Sequence, residues 1–187
     1  NRSLAEEQFC YLLQPRVNLL TGEIVGAEAL ARRVDTVGNI IFPDAFVEVM
    51  EQNGSIIKLD FLILRQVCKD MARRLKENLP VVPVSVNLSR LHTGVPDTAR
   101  RIHEIVRQYK IPVKLLEFEL TETILLTEFG GTKHLMDELR RYGYHVSIDD
   151  FGSGYAGINL WQEMDFDVLK LDKRFLCKEL EERNAVI

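Results

Sequence analysis

Through most of this chain an extended, apolar-rich segment gives way to a helix and then to another extended segment. The extended segments end on polar side chains. This alternation constrains the fold more than any single motif does. Residues 81–88 (VVPVSVNL), 115–121 (LLEFELT), 145–149 (HVSID) and 166–172 (FDVLKLD) read as strands, because β-branched and large apolar residues recur there with a period of two. In residues 55–79, Ile56, Leu59, Leu62, Ile63, Val67 and Met71 recur at helical spacing, and Asp60 and Arg65 fall off that stripe. Residues 97–109 and 131–142 read as further helices, and 155–162 as a short helical connector. Upstream, residues 9–19 and 23–30 form two strands joined at Thr21-Gly22, and Pro43 opens a helix that Asn53-Gly54 stops. Strands connected through helices run parallel, and such repetition closes as a (β/α)₈ barrel or opens as a doubly wound sheet. About six strands can be counted, where a barrel needs eight and about 250 residues. Either the sheet is open or two β/α units are missing.

The chain is 46% hydrophobic over 187 residues, enough for a proper core, and no linker or low-complexity break divides it. One domain over residues 1–187 is expected. A net charge of −4 and the lack of a basic stripe argue against a nucleic-acid polymer as partner. Cys10, Cys68 and Cys177 form no Cys-x-x-Cys pair, which fits a reduced, cytoplasmic compartment with small buried thiols. No apolar run reaches membrane-spanning length and no signal peptide is visible. The chain opens on Asn1 and runs out inside a helix-like stretch, so it reads as a piece of something longer, with room for membrane or sensor segments outside it.

Parallel strands are usually apolar on both faces, so polar positions in them are informative. Here Glu28 lies near the end of its strand, Ser85 and Asn87 share one face, and so do Glu117, Glu119 and Thr121. Ser147 with Asp149, and Lys170 with Asp172, repeat the arrangement. The opposite faces carry Val84 and Val86, Phe118 and Leu120, Val146 and Ile148, Leu169 and Leu171. If those apolar faces meet the helices, the polar atoms converge at the carboxyl end of the sheet, where α/β proteins build their sites. Glu28, Asn87, Glu119, Asp149, Asp150 and Asp172 then form a hard-oxygen set suited to Mg²⁺, Mn²⁺ or Ca²⁺ and unsuited to zinc. Each acid alone reads equally as a strand end facing solvent.

The adjacent Asp149 and Asp150 repel each other, so burying them requires a cation, a proton or solvent. Lys170 is the one obvious cation, with an ion pair to Asp172 as its plain structural role. Among acids its charged form is favoured, which suits orienting a water or stabilising phosphoryl charge rather than a Schiff base. Gly152-Ser-Gly154 matches no dinucleotide or P-loop fingerprint but suits a mobile loop beside the acids. His92, His103, His134 and His145 have no ligand spacing and read as surface or packing residues. Trp161 and Phe166 read as core or interface.

Taken together these residues resemble the EAL domain, the bacterial cyclic di-GMP phosphodiesterase family. The resemblance runs in register through Gln14-Pro15, Thr21-Gly22, Glu28-Ala29-Leu30, Arg32, Pro43 with Phe46, Asn53-Gly54, Val86-Asn-Leu-Ser89, Glu119-Leu-Thr-Glu-Thr123, Asp149-Asp-Phe-Gly-Ser-Gly-Tyr155 and Leu169-Lys-Leu-Asp172. It covers essentially the whole chain. It implies an α/β TIM-like barrel with one strand running against the others, incomplete as given. Glu28, Asn87, Glu119 and Asp149 resemble the ligands of one Mg²⁺ or Mn²⁺. Asp150 and Asp172 resemble residues of a second metal site that Asp149 bridges. Lys170 looks like the residue that contacts the nucleophilic water, and Glu122 like the acid that anchors loop 151–155. Gln14, Leu30 and Arg32 look like substrate contacts.

The implied reaction opens cyclic di-GMP to linear pGpG by in-line attack, and an acid-lined site needs bound metal before it admits such an anion. The resemblance further implies dimers formed near the loop after Asp150, and sensor or diguanylate cyclase domains fused outside these residues. Arg33 stands where the family usually has an aromatic residue, and Tyr155-Ala-Gly-Ile where two serines are common. The family's acid-Gly-Val-acid motif, with its catalytic glutamate, and its later Gln-Gly do not occur in these residues. A non-hydrolysing module that binds cyclic di-GMP or a protein partner is the alternative. Enolase-type proton abstraction by the acids and Lys170 is a more distant one.

Overall fold

The computed structural model describes residues 8–152 and 164–172. Strands β1 (Phe9–Val17) and β2 (Ile24–Val34) form an antiparallel hairpin with Gln14 opposite Glu28 and Leu12 opposite Leu30. Its turn is held by Asn18, whose side-chain oxygen accepts from the backbone N–H groups of Leu20 and Thr21, and by Gly22 at φ 72°. The two-residue β3 (Ile40–Ile41) pairs with the far end of β2. A 3₁₀ turn at Pro43–Ala45 leads into α1 (Val47–Gln52), and Gly54 at φ 73° separates it from α2 (Ile56–Lys76).

The chain then alternates through β4 (Val84–Asn87), α3 (Thr98–Gln108), β5 (Leu116–Thr121), α4 (Glu122–Thr127), α5 (Phe129–Arg141), β6 (His145–Phe151) and β7 (Val168–Leu171). The sheet order is β1-β2-β4-β5-β6-β7, with β3 attached to β2. From β2 onward this path is parallel, and β1 runs against the rest, as the family resemblance implied.

The sheet is strongly curled, and two side-chain contacts measure the curl. Strands β2 and β7 are four positions apart, about 19 Å in a flat sheet, yet Lys170 Nζ on β7 lies 2.7 Å from Glu28 Oε2 on β2. Strands β1 and β5 are three apart, about 14 Å if flat, yet Arg16 and Glu117 join through two hydrogen bonds of 2.9 and 2.8 Å. The concave side therefore faces itself as a barrel interior does, which is the partial TIM-like barrel expected. Among the described residues β1 and β7 each pair with a single neighbour.

The hydrophobic core lies outside this curl, between sheet and helices. Val84, Val86, Leu116, Phe118, Leu120, Val146 and Ile148 are all buried there against α2, α3 and α5, together with Leu59, Leu64, Val67, Ile102, Val106, Leu135 and Leu139. The concave face instead carries the polar partners of that alternation, so the interior of this barrel is polar and its exterior is the core.

Some local expectations differ from the structure. Residues 122–127 form a helix that the pattern did not announce, because Thr121, Thr123 and Ile124 are β-branched and weak helix formers. The expected cover over Leu169 and Leu171 is incomplete: they are 38% and 47% exposed on the terminal strand of the described sheet. The connector at 155–162, Trp161, Cys177 and the helix-like stretch from Lys178 lie outside the described residues. Among the described residues no helix is long and apolar enough to cross a membrane.

Candidate metal centre

Neighbouring parallel strands hold their residues in register, which places the polar ends side by side. Glu28 pairs with Ser85, Asn87 with Glu119, Glu119 with Ser147, and Thr121 with Asp149. Because the sheet curls, residues on separate strands then meet across the concave side. Glu28, Glu119 and Asp149 each present a carboxylate oxygen, and the three oxygens lie within 4.8 Å of one another. Lys170 Nζ sits among them, 2.7 Å from Glu28 Oε2, 2.9 Å from Glu119 Oε2 and 3.2 Å from Asp149 Oδ2. Asn87 donates its amide to Glu28 Oε1 at 3.1 Å, and turning that amide over would present its oxygen instead.

Depth orders the three acids electrostatically. Glu119 has a side chain with no exposed surface, against 16% for Glu28 and 23% for Asp149. Burial pushes the Glu119 carboxyl up to about 7, with repulsion from Glu28 adding to it and the pull of Lys170 opposing. Burial also raises Glu28, but hydrogen bonds from Lys170 and Asn87 outweigh it and hold that carboxyl below its ordinary value. Burial works against the Lys170 ammonium, yet Glu119 and Glu28 more than compensate and shift its pKa upward. Glu119 Oε1 is buried with no hydrogen-bond partner, and so is Ser147 Oγ beside it. An acceptor without a donor, in a pocket of three carboxylates, fits a divalent cation with oxygen ligands.

Asp149 ends the regular part of β6. The pairing with β7 slips between Ile148 and Phe151, and Asp150 adopts φ 58°, a left-handed conformation that costs most residues energy and Asp somewhat less. The Asp150 N–H donates to Asp149 Oδ1 at 2.9 Å, and both acids line one cavity. Glu122, buried at the start of α4, accepts from the Gly152 N–H at 3.0 Å and so holds the first residues of the glycine loop. The remainder of that loop, which the resemblance assigns to dimer contact, lies outside the described residues. Asp172 donates its backbone N–H to Phe151 O at 3.0 Å, and neither it nor Asp150 joins the group of three carboxylates.

The cavity measures about 490 Å³. Its acidic wall includes Glu28, Asp149 and Asp150 with Asn87, its apolar wall includes Leu30, Ile56 and Val86, and among the described residues Arg90 is the one basic residue of its lining. Gln14 is exposed on β1, opposite Glu28 and therefore on the same face. Arg32 is buried: it donates to Ala31 O, stacks on the Phe42 ring at 4.8 Å, and keeps Nε without a partner. Glu117 belongs to the sequence pattern but not to this cluster, since Arg16 takes both of its oxygens.

Sequence reasoning missed a half-buried network beside the cavity. Ser89 caps the 3₁₀ turn Arg90–Gly94 and donates its hydroxyl to Glu51 at 2.7 Å, and its N–H donates to Asp60 Oδ2 at 2.9 Å. The same Asp60 oxygen lies 3.0 Å from His92 Nε2, so one acid from α2 fixes the turn that follows Asn87. Asp60 falling off the apolar stripe, while lying within a helix that packs on the sheet, was the available signal.

The curled, largely parallel sheet with acids converging at its carboxyl end defines a barrel-type α/β protein with an acidic rim. The chain belongs to the EAL domain family, which matches it over residues 1–187. Among its relatives, the probable cyclic di-GMP phosphodiesterase PdeB of Escherichia coli K12 is 34% identical over 93% of this chain and 33% of its own length. The cyclic di-GMP phosphodiesterase NbdA of Pseudomonas aeruginosa is 30% identical over 94% of this chain and 22% of its own length. The chain thus spans between about a fifth and a third of these relatives. The PaMucR phosphodiesterase in complex with c-di-GMP superposes with a TM-score of 0.79 at 26% identity, over 90% of this chain and 71% of that one. The FimX EAL domain of Pseudomonas aeruginosa bound to c-di-GMP, 20% identical, shares the fold with a TM-score of 0.83 over 96% of this chain and 73% of its own.

Proposed function

We propose that this chain is the phosphodiesterase part of a longer cytoplasmic protein and serves the metal-dependent hydrolysis of cyclic di-GMP to linear pGpG. The observation that carries this reading is the meeting of Glu28, Glu119 and Asp149 within 4.8 Å, with an unpartnered buried oxygen on Glu119. On this reading Glu28, Asn87, Glu119 and Asp149 hold one Mg²⁺ or Mn²⁺, and Asp150 and Asp172 serve a second that Asp149 shares. When bound, the ions supply Lewis-acid charge that offsets the phosphodiester's own. Two such ions would offset most of the negative charge of a rim that would otherwise repel an anion.

The chain's residues do the rest. Glu122 fixes the glycine loop through Gly152 N, so Asp150 is held beside Asp149. Lys170 supplies a permanent positive charge next to the reacting phosphate, suited to orienting a water or to the charge that develops. Gln14 on the concave face and Leu30 in the cavity lining contact the base, and Arg32 directs its charge toward phosphate. Relatives such as the oxygen sensor protein DosP of Escherichia coli K12, 27% identical over 98% of this chain and 23% of its own length, support a fused sensor as the source of regulation.

The test is the full-length protein with Mn²⁺ and cyclic di-GMP, followed by chromatography. Production of pGpG that falls to background in Asp149→Asn is expected. A full-length wild-type protein that binds Mn²⁺ and leaves the dinucleotide intact defeats the proposal and favours the non-hydrolysing module.

A further inference from the structure

Lys170 places its ammonium among the three carboxylates that could together hold a divalent ion. Its ammonium takes one oxygen from each of Glu28, Glu119 and Asp149 at 2.7, 2.9 and 3.2 Å. These are the three residues whose oxygens also converge closely enough to share a metal. An ion coordinated by all three would have to take those oxygens from the ammonium or crowd against it. Two cations so close, in a pocket where Glu119 is fully buried, repel strongly.

We infer that Lys170 is an internal counter-cation that competes with the divalent ion, so that loading the site requires the ammonium to draw back from the three carboxylates. This rests on the reading of that triad as a metal site. Three carboxylates brought together without a cation would repel each other and resist burial, and Lys170 removes that penalty. It allows the rim to fold before any metal arrives. The same contacts set a threshold for loading, because an ion held by all three acids either takes the oxygens that face Lys170 or binds their other oxygens, such as Glu119 Oε1, against the repulsion of the ammonium. Lys170 is well placed to move: it lies on the last described strand, and its side chain is 21% exposed, against none for Glu119. Once drawn back it remains beside the loaded site, where its charge bears on substrate rather than on the carboxylates. A positioning role and a gating role thus belong to one side chain.

The experiment compares Mn²⁺ binding by calorimetry in the full chain and in Lys170→Met, which keeps the apolar stem and removes the charge. The variant is expected to bind Mn²⁺ about tenfold tighter or more, since a unit charge is removed from direct contact with the ligands. It should also melt at lower temperature without metal and gain more from Mn²⁺ than the wild type. Equal or weaker Mn²⁺ binding by the variant overturns the inference while leaving the triad a metal site. Absence of binding by both proteins overturns the metal reading itself. Because the variant could fold poorly, the wild type supplies a second measurement: ¹⁵N NMR of the lysine Nζ during a Mg²⁺ titration. The Lys170 signal should shift in step with Mg²⁺ saturation, and a signal indifferent to saturating Mg²⁺ refutes the displacement.

Discussion

The ion pair between Arg16 and Glu117 offers the most direct test of the curled sheet. It joins residues 101 positions apart on strands that do not touch each other along the sheet. The Glu117 side chain is 5% exposed and that of Arg16 26%, so water reaches one partner and barely the other. Replacing Arg16 by Met strands a buried carboxylate. Breaking a fully buried pair in this way costs about 3–5 kcal/mol, and the partial exposure of Arg16 lowers the expectation to about 2–4 kcal/mol. Glu117→Leu alone leaves a guanidinium that can still turn to solvent, and should cost less. The double variant removes both charges together and should lie within about 1 kcal/mol of the wild type. Urea unfolding at constant slope gives the three differences, and the cycle should return a coupling of about 2 kcal/mol or more. The coupling should survive high salt, because the pair is shielded from mobile ions. Single costs that simply add, within about 0.5 kcal/mol, would mean that Arg16 faces water in solution. The sheet would then not bring β1 over β5, and the argument for a shared interior would fail with it.

Two further outcomes follow from the site. Glu119, raised from its ordinary value to about 7, contributes stability that is fully present below about pH 4.5 and is lost as pH climbs through about 7. In metal-free buffer, the wild type's stability relative to Glu119→Gln should therefore fall between pH 5 and pH 8, by about 1.4 kcal/mol per unit at its steepest; a flat difference across that range sinks the assignment. Asp60→Ala leaves the buried His92 ring without its partner, when Nδ1 already has none, and deprives the Ser89 N–H of its acceptor. It should cost about 2–4 kcal/mol in urea unfolding, and a cost below about 1 kcal/mol would show that water replaces Asp60 freely.

Much of the chemistry was legible because strand periodicity reports faces. Glu28, Asn87, Glu119 and Asp149 could be assigned to one side of their strands, and the structure does place them on the concave side at one rim. The β-α alternation likewise gave nearly every helix and the parallel order. What periodicity cannot report is what lies across the curl. Lys170 was readable as a cation among acids, but its expected structural partner was Asp172, two residues away. Its actual partners include Glu28, 142 residues earlier. Helix α4 was hidden by its own β-branched residues, and the Asp60 network by the plainness of an acid in a helix.

Glu117 and Glu119 show where that boundary falls. They share a strand and a face, are both buried, and differ by one step of the period. One is neutralised by Arg16 toward the amino end of the parallel strands, and the other keeps an unpartnered oxygen beside Lys170 nearer their carboxyl ends. The distinction originates on another strand. Gly26 lies opposite Arg16 in the hairpin, and a Cβ there would stand 2.9 Å from the guanidinium and 3.2 Å from the Pro83 carbonyl. A side chain there would press on the guanidinium as it lies across the interior toward Glu117. The small residue on β2 thus gives Arg16 room beside the pair it forms with one glutamate of β5, while the next one along keeps an unpartnered oxygen.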